Sequence, residues 1–240
     1  MHLLAFDTST EWCSAALWMD GRVIDAAVHA GQAHSRLLLP MVSSLLAEAG
    51  LTLGELDGIA FGRGPGSFTG VRIACGVAQG LALGASLPLL GVSTLEAMAE
   101  EADAEQVVTC LDARMNEIYA AVWRRDPSGW QAETEAMVCP PAVAPLPTAS
   151  GYVGCGGAFA AYPEILARRY ADLLTDIRPG LIPHARSIAR LAAPRFRAGM
   201  AVPPEAAEPV YVRDKVALTI RERTMGTRPG GNTHGTGMSA

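Results

Sequence analysis

Aromatic residues make up only 6% of this 240-residue chain and charged residues only 18%, while half of it is hydrophobic. There is no excess of positive charge. The net charge is -5, which argues against broad nucleic-acid or membrane-surface binding by the chain alone. The five cysteines form no C-x-x-C pair and are odd in number, which suits a reduced, cytoplasmic protein. The five histidines show neither H-x-x-x-H nor H-E-x-x-H spacing, so metal ligation has no motif behind it. No Ser–His–Asp or Cys–His arrangement can be assembled by spacing, and no basic segment precedes the first apolar run as a secretory signal requires. Residues 73–92 carry no charge and just reach membrane-spanning length, but Gln79, several glycines and Pro88 interrupt them. A buried helix followed by a buried strand is expected there, with no membrane span.

What the chain has in quantity is glycine, concentrated in residues 62–76, GRGPGSFTGVRIACG. A glycine loop opening onto an apolar helix can cradle a phosphate on free backbone N–H groups. It can equally be a tight strand-to-helix turn that needs glycine dihedrals, stiffened by Pro65. No lysine occurs between Gly62 and Gly84, so the loop is not of the G-x-x-x-x-G-K-[ST] type. Further on, Gly76, Gly80 and Gly84 fall four apart and share one helix face. Each costs roughly 0.5–1 kcal/mol against alanine. Close packing offsets such a cost, either inside the domain or against another subunit.

Residues 2–7, 13–19 and 23–29 read as three antiparallel strands, the last two joined by the hairpin signal Asp20-Gly21. Residues 37–49 carry Leu38, Val42, Leu45, Leu46 and Ala49 at helical spacing, with Gly50 as a stop and Pro40 as a kink or early turn. A strand at 59–61, a helix to about residue 84, a strand at 89–92 and a helix at 93–102 follow. The second half echoes the first. Adding 105 to Asp7, Ala15, Ala16 and Trp18 gives Asp112, Ala120, Ala121 and Trp123, which points to a duplicated unit. Residues 140–147 read as a surface connection, 152–155 as a strand and 154–157 as a second glycine turn. Residues 187–198 read as a helix capped by Ser187 and shortened or kinked at Pro194. Residues 210–212 read as a final strand. Residues 217–240, which include Arg221, Arg223 and Arg228, read as a disordered tail.

Chemistry is sparse. Asp7, Thr8, Ser9 and Thr10 sit at a strand–strand turn. They can hold a phosphate and a metal-bound water, or they can satisfy their own backbone as an Asx- or Ser/Thr-turn. Ser93 and Glu96 stand in capping-box relation, and His34 reads as a helix cap or surface residue.

Six segments together carry a resemblance: residues 6–18 (FDTSTEWCSAALW), 34–41 (HSRLLLPM), 62–73 (GRGPGSFTGVRI), 91–95 (GVSTL), 111–119 (LDARMNEIY) and 208–213 (EPVYVR). They closely resemble the TsaB (YeaZ) family of bacterial tRNA threonylcarbamoyladenosine biosynthesis proteins, over residues 2 to about 216. The resemblance implies an α/β, duplicated actin-like, Hsp70-like, sugar-kinase-like (ASKHA) fold. It implies a part in forming N6-threonylcarbamoyladenosine at position 37 of tRNAs that read ANN codons. The chain is then a non-catalytic subunit that supports a related catalytic subunit, TsaD, together with the ATPase TsaE. TsaD-like chains carry two metal-binding histidines in a segment like V-N-H-x-E-G-H. Residues 92–98 place Thr94 and Met98 there instead, and neither is a good ligand for such a metal.

Residues 1–103 are therefore expected to form a first subdomain with partner-binding helices, 104–216 a second, and 217–240 a tail. The expected partner interface uses two helices, 35–49 and 70–85, through Leu38, Val42, Leu45, Arg72, Gly76, Gly80 and Gly84. The same surface serves a homodimer when the chain is alone. Asp7, Thr8, Ser9 and Asp112 are the cofactor-binding candidates. No catalytic residue, metal or resident cofactor is expected, with ATP or ADP at the interface with TsaD as the open case and tRNA reached through the complex. The competing reading is an independent nucleotide-binding ATPase or small kinase of the same fold.

Overall fold

A computed structural model describes residues 1–213. The tail expected at 217–240 lies outside the described residues. The first half runs β1 (His2–Asp7), β2 (Trp12–Met19), β3 (Arg22–His29), α1 (His34–Ala49), β4 (Gly58–Gly62), α2 (Phe68–Ala85), β5 (Leu89–Val92) and α3 (Thr94–Glu101). The second runs β6 (Gln106–Arg114), β7 (Glu117–Asp126), β8 (Gly129–Cys139), β9 (Tyr152–Cys155), α4 (Ala158–Ala161), α5 (Pro163–Tyr170), β10 (Leu174–Arg178) and α6 (Ala185–Arg197). Asp20 and Gly21 both take positive φ, as a two-residue hairpin turn requires. Gly50 closes α1 in the left-handed region.

Each half builds one five-stranded mixed sheet, and the two orders correspond: β3-β2-β1-β4-β5 and β8-β7-β6-β9-β10. In both, three antiparallel strands are extended by two parallel ones. β1 is apolar from Leu3 to Phe6 because both faces of its sheet are covered. On the outer face Leu4, Phe6, Ala15 and Leu17 pack under α1 and α2; on the inner face Leu3, Ala5 and Ala16 pack under α6. The second sheet has α4 and α5 outside, over Cys110 and Val122, and α3 inside, over Leu111, Ala121 and Trp123.

The inner helices are exchanged. α3 follows the first sheet in sequence but lies on the second, and α6 does the reverse. The chain from Ala185 onward therefore returns to the first half. α3 and α6 pack on each other, joined by two ion pairs, Arg186 with Glu101 and Arg195 with Glu96. Both carboxylates are only 7% exposed. Ser187 Oγ donates a further 2.6 Å bond to Glu101.

The duplication is real, but the single 105-residue offset does not hold across it. Ala15/Ala120 and Ala16/Ala121 do share faces. Asp7 pairs with Ser14, however, while Asp112 pairs with Ile118, one residue short of the equivalent partner. The same slip runs along the strand, where Leu3 pairs with Trp18 but Val107 with Trp123, and a bulge between Asp112 and Arg114 takes it up. A one-residue slip reverses the face of every side chain on a strand. Asp7 consequently points inward and Asp112 outward.

Other expectations shift locally. α6 is capped by His184, whose Nδ1 accepts from the N–H of Arg186, and it runs through Pro194 to Arg197; Ser187 is already inside it. α1 likewise runs through Pro40. Ser93 does cap α3, while the Glu96 carboxylate goes to Arg195. Residues 210–212 form no strand, although the N–H of Val210 donates to the carbonyl of Arg63 at 2.7 Å. β8 and β10 leave no clear period in the sequence because they are exposed and of mixed polarity. α2 is long and apolar enough to cross a membrane by length and composition. One stripe of it, Val71, Ala74, Ala78 and Ala82, is buried in the protein.

Glu101 ties α3 to α6, so Glu101→Ala should lower stability by about 1–3 kcal/mol, the partial exposure of Arg186 moderating the loss. Burial pushes the Glu101 carboxyl up, but hydrogen bonds from Arg186 and Ser187 outweigh it and hold the pKa below the ordinary glutamate value. Its contribution is thus present above the unfolded-state pKa and lost as pH falls through the folded one. Urea unfolding at neutral and acid pH checks both: the gap between wild type and variant should close on acidification.

Candidate functional site

The turn after β1 and the glycine loop after β4 meet at the end of the first sheet. Asp7 Oδ1 accepts from the N–H and the Oγ of Ser9, at 2.8 and 2.7 Å. Asp7 Oδ2 is buried with no hydrogen-bond partner among the described residues. It fits because residue 62 is glycine; a Cβ there would collide with Oδ2. Burial pushes the Asp7 carboxyl up to about 6, against the two bonds from Ser9 that lower it.

The loop lies directly on the turn. Thr8 Oγ1 donates to the carbonyl of Gly70 at 2.7 Å, and the N–H of Ser67 donates to the carbonyl of Ser9 at 2.7 Å. A Cβ at Gly66 would strike the Ser9 carbonyl, and one at Gly70 the Thr8 carbonyl. Ser67 caps α2 by accepting from the N–H of Gly70. Close backbone approach is what requires these glycines. Asp7, Thr8 and Ser9 stand together, as the sequence suggests, yet all three are at most 1% exposed and both hydroxyls already donate inside the chain. As it stands, this turn does not fit a nucleotide phosphate.

Asp112 does not join them. Its Oδ1 accepts from the N–H of Arg114 at 2.9 Å and from the hydroxyl of Tyr162 at 3.3 Å, on the outer face of the second sheet. Arg114 also bonds Glu11 at 2.8 Å and so links the two hairpin turns. Thr94 and Met98 have other work. Thr94 Oγ1 accepts from the N–H of Gly64, and Met98 is buried in the inner core of the second sheet. His34 is neither a cap nor a surface residue; it is buried at the start of α1, and its Nε2 has no partner among the described residues.

The expected interface divides. Leu38, Val42 and Leu45 are 0–4% exposed and belong to the core under α1, because helical apolar periodicity marks the face that looks inward. They offer no free surface; Leu39 of α1, 46% exposed, does. On α2 the stripe is open. Gly76, Gly80 and Gly84 are exposed, and a Cβ on any of them would meet nothing within 4 Å among the described residues. Leu83 is 65% exposed beside them. At the start of the same helix the Arg72 guanidinium lies 3.3 Å from the ring centroid of Phe68 and 5.0 Å from that of Tyr211. Sequence reasoning does not single out Phe68, Leu83 or Tyr211. Phe68 stands one helical turn before Arg72 and Leu83 adjoins Gly84, so helical spacing is the available signal for both. Tyr211 arrives from the far end of the described chain and leaves none.

Known proteins give the context. A family model described as TsaD, tRNA N6-adenosine threonylcarbamoyltransferase, matches residues 28–220. The chain is 44% identical over 225 residues to the Escherichia coli tRNA threonylcarbamoyladenosine biosynthesis protein TsaB, covering 90% of this chain and 96% of that one. It is 38% identical over 231 residues to the Haemophilus influenzae TsaB, covering 90% and 95%. Among solved structures, a Pseudomonas aeruginosa protein described as similar to peptidase YEAZ superposes with a TM-score of 0.82 at 39% identity, over 88% of this chain and 99% of that one. YeaZ from Pseudomonas aeruginosa superposes with a TM-score of 0.79 at 38% identity and the same coverage. The fold of the chain is thus the duplicated actin-like one.

Two glycines of the same helix should respond oppositely to alanine. Gly70→Ala should destabilise by about 2 kcal/mol or more through its clash with the Thr8 carbonyl. Gly76→Ala should stabilise the isolated chain by about 0.5–1 kcal/mol, since its methyl enters open space and the helix gains propensity. Urea midpoints read both changes. Asp7 supplies a pH test. Its folded pKa is raised from 3.8 to about 6, so the native state holds a proton that the unfolded chain has released, and stability falls as pH rises across that window. In Asp7→Asn that fall, on the order of 2–3 kcal/mol, should be absent. Unfolding free energies measured from about pH 4 to pH 7 check it; parallel curves for the two proteins would show that Asp7 does not titrate there.

Proposed function

This chain belongs to the TsaB (YeaZ) family of tRNA threonylcarbamoyladenosine biosynthesis proteins, and from that premise we propose that it acts as the non-catalytic, partner-supporting subunit of a tRNA-modifying complex. The partner is a TsaD-like catalytic subunit, with a TsaE-like ATPase acting alongside and tRNA reached through the assembly. Alone, the chain pairs with a second copy through the same surface. One observation carries the reading: the open glycine stripe of α2. Three glycines in a helix cost on the order of 2–3 kcal/mol, and no contact within the described chain offsets it. A second helix laid on that face can approach the backbone closely and cover Leu83. Arg72, held between Phe68 and Tyr211, presents a rigid, partly apolar cation at one end, the kind of group that anchors interfaces. The commitment of Thr8 and Ser9 to internal hydrogen bonds favours this reading over an independent kinase or ATPase.

Gly80→Leu should leave the isolated chain folded and slightly raise its melting temperature, because a Cβ there meets nothing among the described residues and leucine has the higher helix propensity. It should weaken binding to the purified TsaD-like subunit by about tenfold or more, as overfilling a close-packed contact costs about 1.4 kcal/mol or more. Titration calorimetry reads the effect, and unchanged affinity would remove α2 from the interface. Reconstitution tests the function itself: modified adenosine in tRNA should depend on this chain in the presence of the other two proteins, and equal modification without it would defeat the reading.

A further inference from the structure

At the β5 edge of the first sheet, the backbone of Gly91 has no partner among the described residues. β5 pairs with β4 in parallel, in the register Ile59↔Leu89 to Gly62↔Val92. The N–H of Ile59 donates to Pro88, and the N–H of Arg63 donates to Val92. In a parallel ladder alternate residues face the neighbour, so Leu89 and Gly91 direct their N–H and C=O away from β4. Leu89 exchanges two 2.8 Å bonds with Val202. The antiparallel continuation would set Met200 against Gly91, but the N–H of Met200 donates to the carbonyl of Arg195 as the chain leaves α6. Gly91 is left without a backbone partner on that side among the described residues, and it lines a cleft of about 410 Å³.

Arg63, Glu96, Arg195, Met200 and Glu208 line that cleft with Gly91. The Arg63 stem lies so close over Gly91 that a Cβ there would fall 2.8 Å from its Cδ. The Arg63 guanidinium makes no ion pair or hydrogen bond among the described residues, whereas Arg195 is held by Glu96. The opening is one residue wide. Val202 occupies the position before it, and Ser93 turns away to cap α3. An added peptide strand needs more than one free pair and does not fit. A planar group with one acceptor beside one donor does.

We propose that Gly91 and Arg63 form a binding site for adenine, a nucleobase with a ring acceptor beside an exocyclic amine. The base would accept from the N–H of Gly91, donate its amine hydrogen to the Gly91 carbonyl, and lie against the Arg63 guanidinium, a stacking surface that unstacked bases use. The base can come from a free nucleotide or from a single-stranded stretch of RNA. The site is separate from the α2 face, and the isolated chain suffices to test it, so its failure leaves the partner reading untouched.

The probes are AMP and a short oligoadenylate, titrated into the ¹⁵N-labelled chain and followed at the Gly91 amide. Saturable movement of that amide with either probe supports the site, and the tighter probe names the source. Arg63→Ala should weaken binding about tenfold, the worth of one stacking contact. N6,N6-dimethyl-AMP, which cannot donate to the Gly91 carbonyl, should weaken it comparably while leaving the protein unaltered. A Gly91 amide unmoved by both probes at about 10 mM, a concentration that reveals even millimolar affinity, would overturn the proposal. So would equal binding of the dimethylated nucleotide.

Discussion

The approach of the Thr8–Ser9 backbone to Gly66 and Gly70 is the contact on which the surrounding structure depends. Two carbonyls sit where side chains of the loop would otherwise be. That contact fixes where α2 begins, and the Thr8 hydroxyl on the Gly70 carbonyl fastens it. From this origin the helix runs along the outer face of the sheet with Ala74, Ala78 and Ala82 down. The 3.6-residue period then turns Gly76, Gly80 and Gly84 away from the protein. The same run of glycines thus does two physically opposite things: its first part admits a backbone from inside the chain, and its second part stands open to the outside.

The second constraint is the exchange of α3 and α6. Each helix covers the sheet built by the other half, so the two inner cores meet where α3 packs on α6, with Leu191 against both. The buried carboxylates of Glu96 and Glu101 find their cations on α6, and breaking either pair would strand a charge between the sheets. Asp7 is in the opposite condition. It has hydrogen bonds on one oxygen and, among the described residues, none on the other and no cation. Burial therefore prevails at Asp7 and its pKa rises, whereas at Glu101 the bonds prevail and lower it.

Much of this is legible in the sequence. The meander at the start, the stop at Gly50, the cap at Ser93 and the duplication all follow from local chemistry, and the structure has them. The site is legible only in part. Asp7 and Asp112 look alike because each follows an apolar run in its strand, but β6 is paired one residue out of step with β1, and no spacing rule detects the bulge that takes up the slip. Leu38, Val42 and Leu45 read as an interface because they form a good apolar stripe. A stripe shows that a helix face is covered and not what covers it; here the sheet does. The edge at Gly91 is invisible for a different reason. It exists only because Val202, distant in the chain, pairs with Leu89 and the segment before it turns back to α6.

The buried and the exposed glycines have different causes. A glycine whose Cβ would collide is explained by the fold and says nothing of function; Gly62, Gly66 and Gly70 are of this kind. A helical glycine with open space before it is not explained by the fold at all, because alanine would fit and would stabilise the helix. Three such residues in register on one face are therefore unexplained by anything within the described chain, and the adjoining Leu83 and the Arg72 stack belong to the same helix. The isolated chain carries the cost of those glycines, and the partner helix we propose would offset it by packing closely on that face.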